Sequence, residues 1–310
     1  MKFPKLKGRA VLSPMAGITD VAFRTLCKRY GAALTYTEFL SSAALVRGNN
    51  KTFEMLKTDP IEDPVAVQLF GNNAEEVIKA AKIVENNFDI IDINCGCPVW
   101  KVIRTGAGSE LLKDKFKLES FVRKLVSSVN IPVTIKIRIG INENSINALE
   151  IAKMAENAGA AAIAIHGRTQ EQGYSGIANW EIIKEVKENI SIPVIGNGDV
   201  FTPEKFKENL EFSKVDAIMV ARGAIGNPYI FKQINDFLDK NSYDTKNKFD
   251  LFFEYLEIAE NYNLDFGLIK NHAILFTKGI EGGSKLRLSL SNCNHINELK
   301  KLMELQVLKQ

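Results

Sequence analysis

Eight short apolar runs recur along the first two thirds of the chain, each bounded by polar or glycine-containing segments. They occupy residues 10–13, 34–39, 65–70, 90–94, 133–137, 161–165, 192–195 and 217–220. Each run is apolar almost throughout, as expected of parallel strands covered on both faces. Between them lie stretches with the apolar period of a helix. Residues 74–86 place Val77, Ala80, Ala81 and Val84 on one face, and residues 145–158 do the same with Ala148, Ile151, Ala152 and Ala155. Residues 179–188 form a third such stretch. Eight strands with helical connections predict a (β/α)8 TIM barrel over residues 1–240. A doubly wound open sheet is the alternative. It normally has fewer strands and a glycine-rich turn after the first, and Pro14-Met15-Ala16-Gly17 lacks that spacing.

The pattern changes after residue 240. The polar stretch 241–248 suits a linker, and helical periodicity follows at about 250–263, 267–277 and 296–308. Residues 245–310 are therefore expected to form a small, all-helical C-terminal domain.

Composition narrows the function classes without choosing one. Hydrophobic residues make up 45% and charged residues 25%, an ordinary globular balance. The net charge of +3 is too small to imply nucleic-acid binding, so any such role must rest on local charge. The four cysteines, Cys27, Cys95, Cys97 and Cys293, do not make a disulfide framework for 310 residues, which fits a reducing compartment. No apolar run reaches signal-peptide or membrane-span length. A cytoplasmic monomer with no membrane partner is expected.

In a barrel, residues at the C-terminal ends of the strands face the active site. Here those positions hold Pro14-Met15-Ala16, Glu38, Gln68, Asn94 with Cys97, Lys136, His166, Asn197-Gly198-Asp199 and Ala221-Arg222-Gly223. Any one of them has an ordinary structural reading; His166 alone could be a satisfied core histidine. Polar groups at nearly every strand end are harder to dismiss, because burial without a partner is costly. The last two loops, Gly196-Asn197-Gly198-Asp199 and Ala221-Arg222-Gly223-Ala224-Ile225-Gly226, suit a phosphate: glycine permits close backbone approach and Arg222 adds a cation. Two tight turns before helices are the plain alternative. A metal site at Cys95-x-Cys97 lacks a second ligand pair and is disfavoured.

The motifs Ser13-Pro14-Met15-Ala16-Gly17-Ile18-Thr19-Asp20 with Phe23-Arg24, Gln68-Leu69-Phe70-Gly71, Asp92-Ile93-Asn94-Cys95-Gly96-Cys97-Pro98 with Lys101-Val102, Lys136-Ile137-Arg138, His166-Gly167-Arg168-Thr169 and Gly196-Asn197-Gly198-Asp199 occur in this order. Together they resemble the tRNA-dihydrouridine synthases over almost the full chain. The resemblance implies an FMN enzyme that reduces the C5–C6 bond of uracil in tRNA, with NADPH as reductant. It implies that Pro14, Met15 and Ala16 line the flavin, and that Gln68, Lys136 and His166 contact it. Asn197, Gly198, Asp199, Ala221 and Arg222 would hold the ribityl phosphate. Cys97 would be the general acid, since an ordinary thiol is mostly protonated at neutral pH. A buried structural cysteine is the plain alternative. Cys95 departs from the family, which often has a larger apolar residue there.

A uracil within a folded tRNA must leave its stack to be reduced. Asn94 offers a donor and an acceptor to the base edge. Tyr174 and Arg168 are candidates to contact the everted nucleotide, and Lys101, Arg104, Arg138 and Arg168 to place positive charge at the mouth. Residues 270–310 hold seven Lys/Arg against three Asp/Glu, including Lys270, Lys278, Lys285, Arg287, Lys300 and Lys301. This basic segment, with Lys270-x-His272 and Thr277-Lys278-Gly279, resembles the family's RNA-binding domain; a solvated helix face is the plain reading. Two rival functions remain: an FMN barrel reductase of a small pyrimidine or enoate, and an RNA-binding factor that promotes tRNA folding.

Overall fold

The computed structural model describes residues 1–307. Its eight strands are β1 (Ala10–Leu12), β2 (Thr35–Ser41), β3 (Val65–Phe70), β4 (Ile90–Cys95), β5 (Val133–Arg138), β6 (Ala162–His166), β7 (Val194–Asn197) and β8 (Ala217–Val220). All pair in parallel and in chain order, with β8 returning to β1. The sheet closes where Leu12 N–H donates to Leu34 O at 3.0 Å and Ala33 N–H donates to Ala10 O at 2.8 Å. Closure leaves no sheet edge. All eight expected strands are present, displaced by at most two residues.

Strand alternation separates two cores. Leu12, Val67, Leu69, Ile93 and Ile135 belong to the large cluster that joins the barrel to its helices. Val11, Tyr36, Ala66, Ile90, Ala164, Ile195 and Met219 form a second cluster, against which Phe3 and Leu6 pack. Toward the C-terminal ends the inward positions turn polar, with Gln68, Asp92, Asn94, Thr134, Lys136, His166 and Asn197. The barrel is filled by side chains at one end and open to chemistry at the other.

The helices start where the sequence supplies caps. Asn73 Oδ1 accepts from the N–H groups of Glu75 and Glu76, and helix Ala74–Val84 then buries Val77, Ala80, Ala81 and Val84. Thr202 caps helix Pro203–Ser213, whose first residue is proline.

Helices Lys248–Asn261, Phe266–Phe276, Gly283–Ser291 and Ile296–Val307 follow the barrel. The third was not expected: Gly282 and Gly283 open it and serine recurs along it, so local propensity is poor. Residue 308 of the expected last helix, like 309–310 of the expected domain, lies outside the described residues. The helical part does not carry a separate core. Phe252, Tyr255 and Phe276 share one buried cluster with Phe23 and Leu26 of helix Val21–Arg29. Among the described residues no helix is long and apolar enough to cross a membrane.

Candidate active site

A cavity of about 310 Å³ opens at the C-terminal ends of the strands. That volume is within the range of small-molecule sites. Pro14, Met15, Ala16, Gln68, Asn94, Cys97, Lys136, Arg138, His166, Tyr174, Asn197, Gly198, Asp199, Ala221 and Arg222 all line it. Among the strand-end and mouth residues singled out from sequence, Glu38, Lys101, Arg104, Arg168 and Gly223 do not.

The wall built by β3, β4 and β5 is a closed chain of hydrogen bonds. Asp92 is fully buried; it accepts from Gln68 Nε2 at 2.6 Å and from Thr134 Oγ1 at 2.5 Å. Gln68 Oε1 in turn accepts from Asn94 Nδ2 at 2.8 Å. Burial pushes the Asp92 carboxyl up to about 6, against the pull of its two hydrogen bonds and of Lys136. Asp92 was missed as a site residue, although its inward position between Ile90 and Asn94 was legible from strand alternation. Phe39, beside the bulge of β2, and Phe201 also line the cavity and were missed.

Asn94 lines the cavity with its acceptor already engaged. Its Oδ1 accepts from Gly96 N–H at 3.2 Å and Cys97 N–H at 2.9 Å, so its acceptor is engaged in shaping the turn after β4. Arg138 Nε donates to Gly96 O at 2.9 Å, and Ser109 Oγ to Cys97 O at 2.9 Å. The backbone around Cys97 is thereby fixed. The strand ends at Cys95, which belongs to the outer core, whereas Cys97 lines the cavity beside Phe39 and Val102. Burial raises the Cys97 thiol above its ordinary value, and the Val99 N–H, then Arg138 and Lys136, only partly offset this. It is therefore a protonated thiol at neutral pH. Cys95 is raised further by burial and by Asp92. Among the described residues no group of three metal-ligating side chains gathers.

Lys136 is half-buried, with Nζ 3.3 Å from Asn197 Oδ1. Desolvation, then Arg138, lowers it to about 8. His166 is held well below its ordinary value by burial and by four surrounding cations, so it is neutral. Tyr174 is 63% exposed and leans over the cavity, its ring 4.9 Å from the Arg222 guanidinium and 5.9 Å from that of Arg138.

Asp199 organises the far end. Its carboxylate accepts from Arg168 Nη1 and Nη2 at 2.8 Å, from Arg222 Nη2 at 2.9 Å and from Ala178 N–H at 2.8 Å. Arg168 also donates to Ser175 O at 3.0 Å and Gly176 O at 2.6 Å. It is 2% exposed, which corrects its expected place at the mouth: it is a brace between two loops. Arg138 is likewise buried and donates to Thr169 O at 2.7 Å and Gly173 O at 2.9 Å. Lys101 is exposed, outside the cavity lining. The glycines of these loops are required by packing as well. A Cβ at Gly198 (φ 139°) would stand 2.5 Å from Ala178 Cβ, and one at Gly223 would stand 2.3 Å from Val200 O.

Part of the basic C-terminal segment is structural. Lys270 Nζ donates to Cys293 O at 3.1 Å, Arg287 Nη1 to Thr277 O at 3.0 Å, and Lys300 pairs with Glu260 at 2.7 Å. His272 is 1% exposed and cannot meet a ligand from solvent. Lys278, Lys285 and Lys301 stay exposed.

Comparison with known proteins agrees with this geometry. The family model described as dihydrouridine synthase matches residues 11–310. The tRNA-dihydrouridine synthase B of Pasteurella multocida is 40% identical over 285 residues, covering 89% of this chain and 86% of that protein. The probable tRNA-dihydrouridine synthase 1 of Synechocystis is 36% identical over 307 residues, covering 96% and 86%. Among solved structures, histamine dehydrogenase from Rhizobium superposes with a TM-score of 0.60 at 14% identity, over 82% of this chain and 49% of that one. This chain thus spans about half the length of that structure, and the likeness is one of fold. A variant of NCR from Zymomonas mobilis superposes with a TM-score of 0.52 at 17% identity, over 78% and 89%. The chain belongs to the dihydrouridine synthase family.

Proposed function

We propose that this protein reduces the C5–C6 bond of uracil in tRNA uridines, with FMN as its cofactor and NADPH as the reductant. The observation that carries the reading is a protonated, rigidly held thiol, Cys97, on the same cavity as the under-paired cations Lys136 and Arg222. The donor set fits FMN. Pro14, Met15 and Ala16 supply a wall, Lys136 a half-buried cation for the electron-rich edge of the ring, and Arg222 with the loop backbones at 197–199 and 221–223 a place for phosphate.

Reduced FMN, when bound, supplies the hydride that reaches C6 of the base. Cys97 delivers the proton to C5, and its backbone anchors keep the thiol in one direction as charge develops. The thiolate left behind is stabilised by Lys136 and Arg138 and regains its proton from solvent. Asn94 keeps one Nδ2 hydrogen free of Gln68 and can offer it to a uracil carbonyl. Exposed Tyr174 can stack on a base, and Lys101 with Lys278, Lys285 and Lys301 can meet phosphates of a large polyanion.

Mass analysis of tRNA incubated with the enzyme, FMN and NADPH tests the reading. A gain of two hydrogens at a defined uridine is expected. No gain in bulk tRNA, with turnover of a free pyrimidine or an enoate instead, overturns the substrate assignment. Improved tRNA folding without any mass change overturns the enzyme.

A further inference from the structure

The segment Gly17-Ile18-Thr19-Asp20 directly follows the cavity-lining residues 14–16 and takes no part in the chemistry above. Its Gly17 peptide is held from two directions. The N–H donates to Glu38 Oε2, on β2, at 2.5 Å, and the carbonyl accepts from Asn271 Nδ2 at 3.0 Å. Asn271 lies on helix Phe266–Phe276, outside the barrel. The neighbouring His272 puts Nε2 3.0 Å from Asp20 Oδ2, and the Tyr255 hydroxyl donates to the same oxygen at 3.1 Å. Asp20 Oδ1 caps helix Val21–Arg29 through Phe23 N–H at 2.9 Å. The helical part therefore fastens this segment at two points, residues 17 and 20.

Gly17 has φ +70°, a conformation glycine adopts freely and leaves freely. The turn carries its own bonds, from Ile18 and Thr19 N–H to Met15 O at 3.1 and 3.0 Å and from Met15 N–H to Thr19 Oγ1 at 3.1 Å, and the Gly17 anchors fix from outside how this closed turn sits against the cavity. Other bonds between the two parts lack this connection. Tyr262 OH donates to Asp59 Oδ2 at 2.8 Å, and neither residue lines the cavity.

We propose that Asn271, backed by the Tyr255 hydroxyl on Asp20, is a positioning residue for the Pro14–Ile18 segment, so that the helical part as well as the barrel sets the shape of the cofactor cavity. The proposal rests on the flavin reading given above. It explains why Asn271 points inward, toward the barrel mouth, while Lys278 and Lys285 of the same basic segment face solvent.

The test compares full-length wild type with Asn271→Ala, Asn271→Asp and the control Tyr262→Phe. Each is stripped of flavin and titrated with FMN, with binding read from flavin fluorescence and the bound visible spectrum, and folding from the thermal midpoint. Asn271→Asp keeps the shape but sets an oxygen against the Gly17 carbonyl. Loss of one hydrogen bond from a loop lowers its competent population by roughly tenfold, and apparent affinity falls by the same factor. Both Asn271 variants are expected to bind FMN about tenfold more weakly with an altered visible band, whereas Tyr262→Phe lowers the midpoint and leaves FMN binding unchanged. FMN affinity within about twofold of wild type in both Asn271 variants overturns the positioning role. A wild type that binds no FMN overturns the flavin reading and this proposal with it, and that outcome is visible before any variant is compared.

Discussion

Two arginines share the Asp199 carboxylate and behave oppositely. Arg168 approaches it with two nitrogens, spends two more hydrogen bonds on Ser175 O and Gly176 O, and is 2% exposed. Arg222 approaches with one nitrogen and stays 36% exposed at the side chain, its plane between Tyr174 and Phe201. The same contrast divides the cavity walls. Gln68, Asp92 and Thr134 satisfy one another and, with the turn after β4, take up all of Asn94 but one Nδ2 hydrogen, while Lys136 has a single long hydrogen bond for its three donors. Groups whose capacity is exhausted inside the protein are scaffold. Groups with capacity left over, facing a cavity, are where a ligand completes the structure.

The contrast is sharpest at Cys97, whose backbone belongs to the scaffold and whose thiol belongs to the receptor. Cys97→Ala is expected to keep the fold and FMN binding but lower turnover by on the order of a hundredfold or more, the usual worth of a general acid. Single-turnover oxidation of the reduced enzyme by tRNA measures this, and full activity would remove the thiol from the reaction. Next comes Arg168→Met, which leaves Asp199 facing one arginine instead of two. A cost of about 3 kcal/mol in denaturant unfolding is expected, as for breaking a buried pair. Arg222→Met should do the reverse. Stability should change by less than about 1 kcal/mol, because the group is partly exposed, while FMN binding weakens roughly tenfold through loss of a phosphate contact. Should Arg222→Met unfold the protein and Arg168→Met only weaken FMN, the two classes have been assigned the wrong way round.

Much of this was legible in the chain. The eight strands announced themselves because parallel strands are covered on both faces, and period-two alternation alone sends Gln68, Asn94, Lys136 and His166 inward. What could not be read was partnership. Arg168 looks like a mouth cation until Asp199, 31 residues later, is brought against it. Asn94 looks like an amide with both donor and acceptor to spare until the turn after β4 claims its oxygen. His272 sits in a basic segment by sequence and in an apolar interface by structure, because helix Phe266–Phe276 turns that face toward Phe23 and Tyr255. Helix Gly283–Ser291 is held by packing of Leu286 and Leu290 that no local propensity reports.

The smallest expected effect, and the most specific, concerns pH. Lys136 is lowered to about 8, so it is charged at pH 7 and largely neutral at pH 9. An electron-rich ring edge or an anion beside it is favoured by the charged form, so FMN affinity should fall as pH rises through about 8. The other groups facing the cavity leave this window clear. His166 is neutral throughout, Asp92 at about 6 is already ionised, burial holds the Cys97 thiol above its ordinary value, and Arg138 at about 10 keeps its charge. A flavin phosphate, with its second ionisation near 6, is also constant above pH 7. The decline should therefore be a few-fold between pH 7 and 9, less than a full tenfold because Lys136 still has Asn197 and partial solvation in either state. Lys136→Met should bind FMN more weakly at pH 7 and show no slope. A slope that survives in Lys136→Met would mean that another group supplies the titrating charge, and the division between saturated and receptive walls would have to be redrawn around it.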